Sequence, residues 1–319
     1  MDVNKIKEIT LRVKDNIQRV IVGKDDVIDL ILTSIICSGH ILLEDVPGLG
    51  KTMIAKSLAR SIDCDFKRIQ FTPDLLPSDI LGLNYYNQKT GDFQLKEGPI
   101  MSQIVLADEI NRATPRTQSS LLEAMEEHQV SIDGTTYKLR EPFFVIATQN
   151  PIETSGTFPL PEAQLDRFFM KLSMGYPKFE EEFEILIRFK ENNPIYDMEA
   201  VVSSEEIRKA RQYYSNVHVD EDIIEYILKI AIATRENDEI ELGISPRGSL
   251  ALFKASQAYA AINGRDYVLP DDVKFLVKPI FTHRLILNSN SQIKGRNASE
   301  ILDQILYKIN TPVEKIRGQ

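Results

Sequence analysis

The chain has 319 residues and an apolar fraction of 43%, enough for real cores and more than one ordinary domain needs, so two compact units of unequal size are expected. The formal charge of −9 is spread among intermixed acidic and basic residues, which disfavours wholesale binding of a phosphate backbone; no nucleic acid partner is expected. Cys37 and Cys64 have no metal-ligand spacing, the start Met1–Lys5 is not a signal peptide, and no apolar run nears the roughly 20 residues of a membrane span, so a cytoplasmic setting with reduced, buried or inert thiols is expected.

Taken in order, residues 2–21 place Ile6, Ile9, Val13, Ile17 and Ile21 at steps of three and four, one apolar stripe of a surface helix that Val22-Gly23 breaks. A second helix is predicted from Asp25 to about Ser38. A short strand, His40 to Leu43, then delivers Glu44-Asp45-Val46-Pro47-Gly48-Leu49-Gly50-Lys51-Thr52, and a helical pattern resumes from Met53 to Leu58. Phe66–Phe71, Ile104–Ala107, Phe143–Thr148 and Phe168–Met174 read as four further strands. Helical stretches separate them, which means parallel crossovers and an open α/β sheet with helices on both faces. Ligands of such sheets collect at the carboxyl ends of the strands. Residues 84–98 and 129–139 look like hairpins, the second turning at Asp133-Gly134.

Tyr176-Pro177 marks a boundary between a first domain, 1–176, and a second, 177–319. Beyond it no convincing strand is found, only helical segments near 178–191, 203–214, 219–235, 246–263, 271–286 and 298–309. The fourth is the best framed, with Ser245 as N-cap, Pro246 at the first helical position and Gly264 past the end.

Three strand ends carry chemistry. Strand, glycine turn and helix start aim backbone N–H groups and a helix dipole at one anion, so Glu44–Thr52 is a phosphate cradle. Lys51 supplies charge for the outer phosphates, and the Thr52 hydroxyl is placed for Mg2+. The strict pattern G-x-x-x-x-G-K-[ST] would begin with glycine at 45, where this chain has Asp45. Asp108 and Glu109 end a buried strand; because adjacent strand residues point to opposite sides, Asp108 is assigned to Mg2+ and Glu109 to the attacking water. Asn150 ends the next strand and suits positioning of that water, although Gln-Asn-Pro alone is an ordinary turn. Arg167 either pairs with Asp166 or Glu162 or serves a neighbouring subunit's nucleotide. Arg247, a cation in the first turn of a helix, works against the helix dipole and suggests a local anion.

Together these residues resemble AAA+ ATPases: Walker A Pro47-Gly48-x-Gly50-Lys51-Thr52, Walker B Asp108-Glu109, sensor-1 Asn150, arginine-finger Arg167 and sensor-2 Arg247. The long motifs Leu43–Gly48, Gln70–Asp79, Ala107–Ala113, Ala147–Pro151 and Leu160–Phe168 look like the MoxR branch, in which Asp at 45 is familiar. The resemblance implies a P-loop NTPase sheet followed by an all-α lid, and ATP held by Val22, Gly23, the loop Pro47 to Thr52 with Leu49, Met53 and Arg247. It implies Mg2+ on Thr52 and Asp108, and catalysis by Lys51, Glu109, Asn150 and Arg167. It further implies a hexameric ring, a helix-2 insert (84–98) and pre-sensor hairpin (129–139) facing the pore, a partner carrying a von Willebrand factor A domain, and a chaperone-like role on a protein client, such as cofactor or metal insertion. The alternatives are a DNA-acting ring translocase and an ATP-dependent scaffold with little turnover.

Overall fold

The computed structural model describes residues 1–152 and 156–312. Two helices come first, α1 (Val3–Gln18) and α2 (Asp25–Ile36), joined through left-handed Gly23. The predicted stripe of α1 is buried at Ile6, Ile9, Val13 and Ile17. Strand β1 (Ile41–Glu44) feeds α3 (Lys51–Ser61), followed by β2 (Phe66–Gln70) and the short α4 (Pro77–Leu81). The hairpin β3 (Gly82–Asn87) and β4 (Asp92–Glu97) precedes β5 (Ile104–Asp108), and α5 (Pro115–Glu127) leads to the hairpin β6 (Gln129–Ile132) and β7 (Thr135–Lys138). Then come β8 (Phe144–Gln149), α6 (Glu162–Leu165) and β9 (Met170–Leu172).

The remainder is α7 (Phe179–Arg188), α8 (Ser204–Tyr213), α9 (Glu221–Arg235), β10 (Ile240–Leu242), α10 (Pro246–Ile262), α11 (Pro270–Phe281), β11 (Ile286–Leu287), α12 (Ser289–Ile293) and α13 (Ala298–Lys308). Here the expectation of no strand is corrected: β10 and β11 pair antiparallel as a small ribbon within the helical part. Ser245 caps α10 as predicted, its Oγ accepting from the Gly248 N–H at 3.4 Å. No helix among the described residues is long and apolar enough to cross a membrane.

The five predicted strands form one parallel sheet, ordered β2-β5-β8-β1-β9. Helices cover both faces, so its inner strands are apolar without alternation. Ile104 and Leu106 face a cluster built with α1, α2 and α3, whereas Val105 and Ala107 face a smaller one built with α5 and the β6–β7 hairpin. The larger cluster runs on without a break into α8 to α11 and α13. The two parts of the chain therefore share an apolar core. The connection after β1 runs to one side of the sheet and the connection after β8 to the other, so the crevice between these two strands is the switch point.

Candidate functional site

The loop after β1 is built by two glycines that a side chain would spoil. Gly48 (φ +88°) and Gly50 (φ +85°) are left-handed, and Gly50 is the N-cap of α3, so the free N–H groups of the helix start face the loop. Nothing lies within 4 Å of the space a side chain on Gly48 would fill. Lys51 bends back, its Nζ donating to the Asp45 carbonyl at 2.6 Å. Burial lowers the pKa of Lys51, opposed by the carboxylates of Asp45, Asp108 and Glu109, so both strand-end acids lie within electrostatic reach of the loop lysine. An open loop with bare donors at a helix start and one movable ammonium fits an oligophosphate.

Asp45, where the pattern asked for glycine, is buried and fully used. Its carboxylate accepts from Ser173 Oγ (2.6 Å) and from the backbone N–H groups of Met174 (2.7 Å) and Gly175 (3.2 Å). This ties the head of the phosphate loop to the chain that leaves the sheet toward α7. Sequence reasoning missed that role, because the partners stand 128 to 130 positions away.

β8 lies between β1 and β5, and its end fills the gap between loop and acids. Thr148 is the central piece: its hydroxyl donates to Asp108 Oδ1 at 2.6 Å and accepts the Glu109 backbone N–H at 2.9 Å. The other oxygen of Asp108 takes Arg68 Nε (2.9 Å) and Nη2 (2.7 Å). Glu109 accepts from Gln70 Nε2 (2.7 Å) and Arg112 Nη1 (3.2 Å). Arg68 and Gln70 are themselves bonded at 2.6 Å, so the edge strand β2 holds both acids through one linked pair. The division of the two acids was ascribed to strand alternation, and that reason is corrected. β5 ends at Asp108, and Glu109 departs through a left-handed backbone at φ +57°. Asn150 follows β8, half-buried, with its Oδ1 accepting the Ile152 N–H at 3.1 Å in a local turn.

Val22 is buried and Gly23 has no side chain, which leaves room for the Glu181 carboxylate of α7 to sit directly over Gly23. Met53, in the first turn of α3, packs half-buried on the larger cluster. Thr52 stands beside Lys51 in the same turn, on the sheet face toward which Asp108, in step with Leu106, also points. Thr52 and Asp108 offer a hydroxyl and a carboxylate, the oxygen donors that a hard divalent cation takes.

Arg247 requires the main correction. It was assigned to the nucleotide of its own chain, yet it lines a cavity with Gly39, His40 and Arg167 at the amino end of β1, and the phosphate loop leaves the carboxyl end. The cause is the packing of α10 against α1 and α2, which carries its first turn to the far end of the sheet. The local anion predicted for this cation is a pair of carboxylates. Arg247 Nη1 lies 3.3 Å from Glu126 Oε1 and its Nε 3.8 Å from Asp166 Oδ2. Arg167 reaches the same Glu126, Nε to Oε2 at 3.3 Å. The two arginines are thus brought together, on one surface, away from the loop.

Comparison with known proteins agrees with this geometry. Residues 40–170 match the ATPase family associated with various cellular activities (AAA), and residues 232–305 match the AAA lid domain. The chain is 52% identical over 301 residues to the protein YeaC of Bacillus subtilis, covering 94% of each, and 38% identical to Chaperone MoxR1 of Mycobacterium tuberculosis, covering 93% of this chain and 80% of that one. A crystal structure of a presumed ATPase from Cytophaga hutchinsonii superposes with a TM-score of 0.89 at 43% identity, over 98% of this chain and 96% of the other.

Proposed function

The chain belongs to the MoxR family of AAA+ ATPases, and on that premise we propose that it hydrolyses Mg-ATP between neighbouring copies in a ring and uses the turnover to remodel a protein client. The observation that carries this reading is the convergence of the loop lysine with two differently held acids, Asp108 and Glu109, across the Thr148 hydroxyl.

Each residue has a task in that reading. Lys51 exchanges the Asp45 carbonyl for the outer phosphates of ATP, whose remaining oxygens take the N–H groups of Gly48, Leu49 and Gly50 and of the start of α3, with Pro47 shaping the turn. Thr52 and Asp108 would hold Mg2+, which when bound neutralises phosphate charge. Asp108 is oriented by Thr148 and Arg68. Glu109 leaves its Gln70 and Arg112 partners to orient the attacking water and accept its proton, with the Asn150 amide beside it. Val22 and Gly23 flank the base. Arg167 and Arg247 act on the nucleotide of the next copy, where they offset charge that develops in the transition state. A ring of six, a cytoplasmic setting, a von Willebrand factor A-domain partner and a client receiving a metal or cofactor complete the proposal. The name of the mycobacterial relative, a chaperone, supports the client role.

The test is equilibrium binding and phosphate release on single variants. Lys51→Ala is expected to lose ATP binding. Glu109→Gln is expected to bind ATP and to hydrolyse it about 10²- to 10⁴-fold more slowly, in line with loss of a positioned base. Turnover by Glu109→Gln near the wild-type rate would remove Glu109 from the mechanism.

A further inference from the structure

Both oxygens of the Asp108 carboxylate are already engaged within the chain. Thr148 Oγ1 donates to Oδ1 at 2.6 Å, and the Arg68 guanidinium closes on Oδ2 through Nε at 2.9 Å and Nη2 at 2.7 Å. The register of the sheet explains the approach. β2 is an edge strand that pairs only with β5, with Gln70 opposite Asp108 and Arg68 opposite Leu106. Side chains alternate along a strand, so Arg68, Gln70 and Asp108 all point to the face that carries α3. Arg68 therefore reaches Asp108 from the outer edge of the sheet, while Lys51 and Thr52 stand on the β1 side of it. Arg68 is exposed and Asp108 is buried, so a long, well-hydrated cation has been ordered to reach an inner acid.

We propose that Arg68 is a positioning residue that competes with a divalent cation for Asp108 Oδ2, and that the cation takes this oxygen only as the guanidinium gives it up. A hard cation and a guanidinium seek the same carboxylate oxygen and repel one another. The two acids, moreover, are not an uncompensated pair. Asp108 and Glu109 already face Lys51, Arg68 and Arg112, so a dication is not drawn to them on their own account. Release of Arg68 costs little, because its Nη2 also donates to Gln70 Oε1 at 2.6 Å and the rest of its head is open to water. No buried donor is left unpaired when it lets go. The consequence is a threshold: nucleotide phosphates on the loop must add their charge to that of Asp108 before the cation displaces the arginine, so metal arrives with nucleotide and not ahead of it.

The inference rests on the reading that Asp108 holds Mg2+, and one titration separates the two. Mn2+, a hard cation whose free form is counted by its electron paramagnetic resonance signal, is titrated into the full chain with and without saturating ADP. Wild type is expected to bind Mn2+ with ADP present and far more weakly without it. Arg68→Gln keeps an N–H for Oδ2 and loses the charge; its ADP complex is expected to bind Mn2+ about tenfold more tightly, and Mn2+ binding without ADP is expected to become measurable. Should that variant not fold, Arg68→Lys keeps the charge but cannot hold Oδ2 through two nitrogens, and a gain of about threefold is expected. A folded Arg68→Gln that binds Mn2+ no more tightly than wild type overturns the competition and leaves Arg68 as a brace for Asp108. Asp108→Ala is expected to bind Mn2+ on the order of tenfold more weakly than wild type. An Asp108→Ala chain that binds Mn2+ as wild type does takes the metal away from Asp108, and the underlying reading fails together with the inference.

Discussion

Asp45 shows how a departure from a motif can carry a mechanical load. Three donors from Ser173, Met174 and Gly175 converge on its buried carboxylate, and Lys51 closes on its carbonyl, so one residue joins the phosphate loop to the segment leading into α7. Asp45→Gly restores the strict loop pattern, yet it leaves the buried Met174 N–H and the half-buried Gly175 N–H without their acceptor. The expected cost is roughly 2–4 kcal/mol of stability by chemical denaturation, with weaker ATP binding, and Asp45→Asn is expected to keep part of both. A glycine variant as stable as wild type would reduce Asp45 to a mark of lineage. The two acids at the end of β5, Asp108 and Glu109, were legible as a pair from residue type and place in the sequence. The hydroxyl that links them was not, since Thr148 reads only as a strand residue until β8 is inserted between β1 and β5.

Among elements, long and strongly patterned segments were readable and short ones were not. All five sheet strands were predicted, and burial on both faces makes β1, β5 and β8 dense apolar runs; β10 with three residues and β11 with two are too short to show any period. The start of β1 depends on a side chain that periodicity could not flag. His40 Nδ1 accepts the Val145 N–H at 2.9 Å, which leaves its Nε2–H to donate to the Met125 carbonyl at 3.0 Å, so the neutral ring pins β1 to β8 and α5. Burial drives its pKa down to about 3, with His128 and Arg211 adding to the effect against the Met125 bond, and burial likewise holds His283 well below the usual range. Both groups take up protons in the unfolded chain near pH 6.5 and not in the folded one, so stability is full above that pH and is lost as the pH falls toward 3. Thermal melts from pH 7.5 to 4.5 are expected to show a loss approaching 1.4 kcal/mol per pH unit for each of the two histidines once the pH is well below 6.5. A flat profile across that range would show that these rings are charged in the folded protein.

At the scale of the whole molecule, a core continuous from α1–α3 into α8–α11 explains the displaced arginine. α10 belongs to the same packed body as α1 and α2, and its first turn is held at the amino end of the sheet. Motif order in the sequence could identify Arg247 but not the direction in which it points, because that direction is set by how the helical part seats on the sheet. Arg167 and Arg247 share Glu126 on one surface, and Lys51, Asp108 and Glu109 are grouped at the opposite end of β1; the proposed function makes these the two halves of a site that every copy carries. Mixing tests this most directly. Glu109→Gln and Arg167→Ala are each expected to be inactive alone, since one lacks the acid and the other the arginine at every boundary. Mixed in equal amounts with Mg-ATP, they form boundaries that pair an intact Glu109 with an intact Arg167, and phosphate release is expected to recover to about a quarter of the wild-type rate per chain. A mixture as inactive as its two components would contradict a site shared between copies.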